Sequence, residues 1–150
     1  MRSTRHLLHD LDDQECCALL GSATFGRLAF TQGALPMILP SHFVVRGDEL
    51  VVASLAAAAI ASARNGHVVA FEVDTYEPAT REGWSVSVIG PSRLIVDPNE
   101  IAELDRVEFA PLSAHHGWHY IAVRISVLRG SRLVLASAEE PGARADGQGS

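Results

Sequence analysis

The sequence predicts a single, mainly β domain: a small antiparallel barrel with short helices packed at its edges. Six or seven short runs rich in Val, Ile, Phe and Trp are separated by turns built on Gly, Pro, Asn and Asp. Three segments read as short helices, and nothing repeats or breaks the composition to mark a second domain. At 150 residues and 47% hydrophobic content, the chain is long enough for one genuine core.

The stretch from His67 to Gly90 anchors this expectation. Val68–Val73 and Trp84–Ile89 flank a polar connection holding Pro78, Arg81, Glu82 and Gly83, the pattern of two neighbouring central strands. Side chains alternate along a strand, so Val69, Phe71 and Val73 share one face and Glu72 and Asp74 the other. The two acids need solvent, an arginine or a second subunit, because burying an unpaired charge is costly. Surface or interface salt bridges are expected there, rather than an acid–base couple. Trp84, Val86 and Val88 likewise oppose Ser85 and Ser87, leaving a face of small polar groups for a ligand or a second subunit.

Taken from the start, Met1–Asp10 reads as a loose arginine- and histidine-bearing arm. Asp12 with Glu15 has capping-box spacing for a helix ended by Gly21. Thr24–Thr31 is a strand, and Leu35–Val45 a second one that Pro36 and Pro40 confine to an edge or bulge. Glu49–Ser54 follows as a third. Leu55–Arg64 is a short alanine-rich helix stopped by Asn65-Gly66. Asp97 caps a further helix with Pro98 in its first turn, running to about Leu104. Arg106–Gly117 is a loop, Trp118–Ser126 a strand, and Val127–Leu135 the last strand, with Gly130 as a bulge. The domain is expected to span 1–136, with a disordered tail over 137–150.

Charge and cysteine content exclude several function classes. The formal net charge is −6, which argues against a general nucleic-acid surface. All 12 basic residues are arginine, so there is no lysine for Schiff-base chemistry or a phosphate clamp. Cys16 and Cys17 are adjacent and poorly placed to bridge, which points to a reducing cytoplasm with one of the pair facing the core. Met1–Asp10 lacks the unbroken apolar stretch of a secretory signal, and the run around Leu55–Ala63 is too short to span a bilayer, so no membrane partner is expected. Gly-x-Ser-x-Gly, a Walker loop, a dinucleotide Gly-x-Gly-x-x-Gly and a His-Glu-x-x-His helix are all absent. His115, His116 and His119 cluster around Trp118 as a solvated loop or as candidate metal or haem ligands.

Several phrases together resemble one family. GRLAFTQGALPMILPSHFVV at Gly26–Val45, VAFEVD at Val69–Asp74, GWSVSVIGPSRLIVD at Gly83–Asp97 and the closing Gly130-Ser131-Arg132-Leu133 are similar to the pyridoxamine 5'-phosphate oxidase-like flavin-binding proteins. The resemblance implies an FMN-binding split β-barrel, assembled as a homodimer with flavin mononucleotide (FMN) in clefts between subunits. It places the flavin ring against Pro40–Phe43 and the phosphate at the end of Val51–Ser54 and the start of the next helix. The partner contributes residues near Trp84–Val88. Cofactor-binding positions are then Pro40, Ser41, His42, Ser54, Trp84, Ser85 and Arg132, with His42, Trp84 or Trp118 as substrate walls.

Where binding energy should be greatest, the chain departs from this family. Ala53 and Ser54 stand where relatives usually carry arginine and threonine, and Ala57, Ala58 and Ala59 where they carry a glycine-serine-lysine phrase. Each hydrogen bond to a charged group contributes about 1.5–3 kcal/mol, so two lost cations weaken phosphate binding by roughly a hundredfold or more. Arg64 and Arg132 are candidate replacements. His42 replaces a common asparagine and either donates to the flavin or is a satisfied core residue. Two functions follow: a flavin-dependent oxidoreductase using FMN or a deazaflavin, or a relative without tight FMN binding that serves as a haem- or small-ligand-binding or regulatory protein.

Overall fold

The computed structural model describes residues 3–107, 109 and 117–138. Its elements in chain order are β1 (Ser3–Asp10), α1 (Asp13–Ser22), β2 (Phe25–Gln32), β3 (Leu35–Arg46), β4 (Glu49–Ser54), α2 (Ala57–Arg64), β5 (Val68–Glu77), β6 (Glu82–Leu94), α3 (Pro98–Val107), β7 (His119–Arg124) and β8 (Val127–Ala138). The strands hydrogen-bond in the order β1-β8-β6-β5-β2-β3-β4-β7, and β6 also pairs with β7. That extra pairing closes six strands into an antiparallel barrel, while β8 and β1 extend outward from β6.

Two long strands make the corners. β3 pairs with β2 over Leu35–His42 and with β4 over Phe43–Arg46. Its proline-bearing half therefore has one free edge, as Pro36 and Pro40 require. β6 pairs with β8 through Ile89 and with β7 from Ser92 onward. Gly90 sits at the switch, where an added Cβ would lie 1.8 Å from the Arg124 carbonyl oxygen.

One core fills the barrel and the space under α1 and α2: Leu28, Phe43, Leu50, Phe71, Val86, Val88 and Ile121 are all buried there. A second, smaller cluster lies under α3, built on Val51, Ala53, Ile95, Leu104 and Tyr120. Tyr120 also donates its hydroxyl to Asp105 Oδ1 at 2.6 Å. Among the described residues, no helix is long and apolar enough to cross a membrane.

Arg93 fastens α3 to the barrel. Its guanidinium donates to both Glu49 oxygens, at 2.9 and 2.8 Å, and to both Glu100 oxygens, at 3.2 and 2.6 Å. These bonds hold the Glu49 and Glu100 carboxyls below the ordinary range and push the Arg93 guanidinium up. A depressed carboxyl pKa adds stability above its unfolded value and loses it as pH falls through the folded one. The contribution is thus present at neutrality and fades below about pH 4.3, the unperturbed glutamate value. Arg93 is half-exposed, so the pairs together contribute roughly 1 kcal/mol. In urea denaturation Arg93→Met should lose about that much at pH 7 and show a shallower acid slope; curves parallel to the wild type from pH 7 to 3 would rule this out.

Several expectations are met. Asp12 Oδ1 accepts from the Glu15 amide at 2.8 Å, and Asp97 Oδ1 from the Asn99 amide at 3.0 Å. Cys16 is buried and Cys17 exposed, both free. Arg27 lies 3.3 Å from both Glu72 and Asp74, the arginine partner that these acids needed.

Others need correction. The N-terminal arm is not loose: Ser3–Asp10 pairs along its length with Ser131–Ala138. β8 accordingly runs past 136 to Ala138, and 139–150 lie outside the described residues. α1 continues through Gly21 to Ser22, whose hydroxyl donates to the Leu19 carbonyl, and α3 runs on to Val107. Gly130 is not a bulge, because the register with β6 is unbroken from Gly83–Leu133 to Ile89–Val127. It is glycine because a Cβ there would sit 2.5 Å from Cys16 Sγ, where α1 rests on the strand.

Candidate functional site

A cavity of about 280 Å³ opens at the mouth of the barrel, between the end of β4, the start of α2 and the middle of β3. Leu28, Leu39, Pro40, Ser41, Ala53, Ser54, Leu55, Ala56 and Trp118 line it, and none carries a charge. Ser41 Oγ donates within the wall, toward the carbonyls of Ala53 at 3.1 Å and His42 at 2.9 Å. Ser54 Oγ accepts from the Ala56 amide at 3.1 Å, which ties the loop to the helix and leaves its own O–H available. The first intrahelical bond of α2 runs from Ile60 N to Ala56 O, so the preceding helical amides lack helical acceptors. The alanine side chains keep the backbone open to an approaching anion.

Trp118 completes the wall. It immediately precedes β7, whose His119 pairs with Ser54, and Gly117 turns the chain there with φ 90°. Its indole Nε1–H is buried and, among the described residues, has no hydrogen-bond partner. Such a group costs about 1–3 kcal/mol when left unsatisfied.

A second groove of about 280 Å³ lies on the outer face of β1, β8, β6 and β5, lined by Leu8, Asp74, Thr75, Tyr76, Gly83, Trp84, Ser85, Ser131 and Leu133. Residues opposite one another across a ladder share a face. The registers therefore place Leu8, Phe25, Ile38, Val68, Tyr76 and Val127 on the side of the strands turned away from the core. All six are among the exposed large hydrophobic residues. Arg27, Glu72 and Asp74 form the charged centre of this face, where burial and the neighbouring Asp74 push the Glu72 carboxyl up.

The seven predicted cofactor positions thus divide. Pro40, Ser41 and Ser54 line the mouth cavity, and Trp84 and Ser85 the outer groove. His42 lines neither: it faces outward beside Phe25, ring centroids 5.1 Å apart in an edge-on contact. Arg132 is exposed opposite Trp84, outside both linings. Arg64 is exposed in the last turn of α2, about 10 Å of helix from the start it was to neutralise. Ala59, one position considered for a cation, is buried in the core. Of the histidine cluster, His115 and His116 lie outside the described residues, and His119 is exposed on β7. Period-two alternation separates His42, which faces outward, from its buried neighbour Ser41. Trp118 was expected as a substrate wall; its unsatisfied donor was not legible.

The profile of the family described as pyridoxamine 5'-phosphate oxidase matches residues 12–137. The chain belongs to this family. Within it, an uncharacterized protein of Mycobacterium tuberculosis, Rv0080, is 34% identical over 139 residues, covering 85% of this chain and 87% of its own. The FAD binding protein from Mycobacterium smegmatis superposes with a TM-score of 0.66 at 27% identity, covering 83% of this chain and 97% of its own. A FAD-binding protein from Mesorhizobium loti shares the fold, with a TM-score of 0.72 at 22% identity over 86% of this chain and 98% of its own. This pyridoxamine 5'-phosphate oxidase family member therefore has the split-barrel fold that the sequence phrases imply.

Proposed function

We propose that this family member binds a flavin in a cleft between two copies of the chain and works as a flavin-dependent oxidoreductase on a small molecule. The observation that carries the proposal is the uncharged mouth cavity, which presents the Ser54 hydroxyl, lies beside the first amides of α2, and is walled by Trp118, whose buried indole N–H a turn of the ring would bring to it. Flavins present complementary acceptors, in their ring carbonyls and phosphoryl oxygens. Small-molecule sites commonly enclose about 300–1,000 Å³, so one chain's cavity holds only part of such a ligand. The outer face supplies the rest, since exposed apolar residues on five of its strands, set around a charged centre, fit a second copy of the same face.

Flavin adenine dinucleotide (FAD) fits this cavity better than FMN does. A terminal phosphomonoester carries nearly two charges at neutrality and would enter a wall without a counter-ion. The diphosphate of FAD carries about one charge per phosphorus, and its adenosine adds contact elsewhere. The FAD-binding relatives from M. smegmatis and M. loti support the same choice.

When bound, the flavin supplies the hydride or electron transfer. The chain's own residues bind and screen it. Ser54 and the α2 amides receive the phosphoryl oxygens, while Leu28, Leu39 and Pro40 keep water from the ring. No side chain is required as a covalent catalyst. The test is the absorbance spectrum of freshly purified protein, followed by titration with FAD, FMN and a deazaflavin. A yellow protein, or a colourless one that takes up FAD more tightly than FMN, supports the proposal; protein that takes up no flavin overturns it.

A further inference from the structure

The hydroxyls of Ser41 and Ser54 each have a partner at the mouth cavity, whereas among the described residues the Trp118 N–H has none. Its indole packs against the cluster that contains Ala53, the position where the resemblance expects an arginine. We infer that Trp118 takes over from that cation as the side-chain donor to a phosphoryl oxygen of the bound flavin. The inference rests on the flavin proposal above.

Three features of the site carry it. First, the nitrogen is buried beside a cavity rather than facing solvent, so water does not satisfy it. Second, because it makes no hydrogen bond among the described residues, a turn of the ring toward the cavity breaks none there, and an arriving oxygen supplies one. Third, its neighbours Ser54, Leu55 and Ala56 form the approach to α2, where phosphoryl oxygens are best received. A ring carbonyl at the same nitrogen is the competing acceptor. A neutral donor grips an anion without charge neutralisation, so binding should depend only weakly on salt, unlike an arginine site.

Trp118→Phe keeps the aromatic wall and removes the donor. Wild type and variant are titrated with FAD, FMN and riboflavin, the last having no phosphate. Melting temperatures establish that both are folded. Expected is about a tenfold loss for FAD and FMN with riboflavin changed less than twofold. In ¹⁵N-labelled wild type, one of the two indole N–H resonances, identified by its absence in Trp118→Phe, should move downfield when FAD is added. Equal weakening of all three ligands would place the donor on the ring and overturn the phosphoryl assignment. Unchanged affinities with an unmoved resonance would overturn Trp118 as a donor while leaving flavin binding intact. Wild type that binds no flavin removes both proposals together.

Discussion

Gly90→Ala will cost the protein most of its stability. Gly90 lies where β6 leaves β8 and begins to pair with β7, and a methyl group there would meet the Arg124 carbonyl oxygen at 1.8 Å and its carbon at 2.9 Å. Both are backbone atoms, so no rotamer change relieves the contact. The strands must separate locally, and the ladder they would lose closes the barrel. Overpacking into yielding side chains costs about 1–3 kcal/mol; against backbone at a closure point, a loss of about 4 kcal/mol or more is expected. Gly21→Ala is the control, because nothing lies within 4 Å of its added methyl and alanine favours the helix. Urea denaturation followed by circular dichroism should show Gly90→Ala unfolded or shifted to a much lower midpoint and Gly21→Ala equal to or above wild type. A Gly90→Ala midpoint within 1 kcal/mol of wild type would mean that the barrel is not closed tightly there.

What the sequence reveals about this fold depends on whether the deciding interaction is local. Asp12 and Asp97 were legible as caps because a side-chain oxygen and an amide two or three residues on belong to one turn of chain. β5 and β6 were legible because Val, Phe and Trp alternate with Ser, Glu and Asp on a period of two. β1 was not, since STRHLLHD has no such alternation and becomes a strand only because β8 offers it a free edge. Gly130 has two local explanations, a bulge or a close approach, and only the position of α1 selects the second. Arg27 is 45 residues from Glu72, so the acids' need for a partner was visible and its identity was not.

The same distinction holds at the site. Ser54 and the start of α2 were placed by their resemblance to a family pattern, and they do line one cavity with Pro40 and Ser41. Trp84 and Ser85 line a different groove, across the sheet, because the strands between them and β3 set a separation that sequence phrases do not encode. Ala59 illustrates the converse. Aligning it with a cation says nothing of which way an eight-residue helix is turned, and the barrel buries that side.

On the proposed function, Ile38→Glu should convert a dimer to a monomer and weaken flavin binding. Ile38 is 66% exposed in the single chain, on the outer face that also presents Leu8, Phe25, Val68, Tyr76 and Val127. Substitution there disturbs no core contact and should change the stability of the single chain by about 0.5 kcal/mol or less. In a twofold assembly the same change counts twice, since an isologous interface buries both copies of the residue. Each carboxylate then loses water without gaining a partner, at a cost of several kcal/mol, and the dimer dissociation constant should rise by roughly a hundredfold or more. Val96→Glu, on an equally exposed valine between β6 and α3, is the control and should leave assembly intact. Light scattering coupled to size exclusion reads the mass, and FAD titration of the same samples reads the cleft. If Ile38→Glu remains as dimeric as wild type, the interface lies on another face. If it becomes monomeric yet holds FAD as tightly, the single-chain cavity suffices and the second copy contributes nothing to the site. The expected result is that the two measurements fall together, because a cavity of about 280 Å³ on one chain holds only part of a dinucleotide-sized ligand and, on the proposed function, a second copy supplies the remainder.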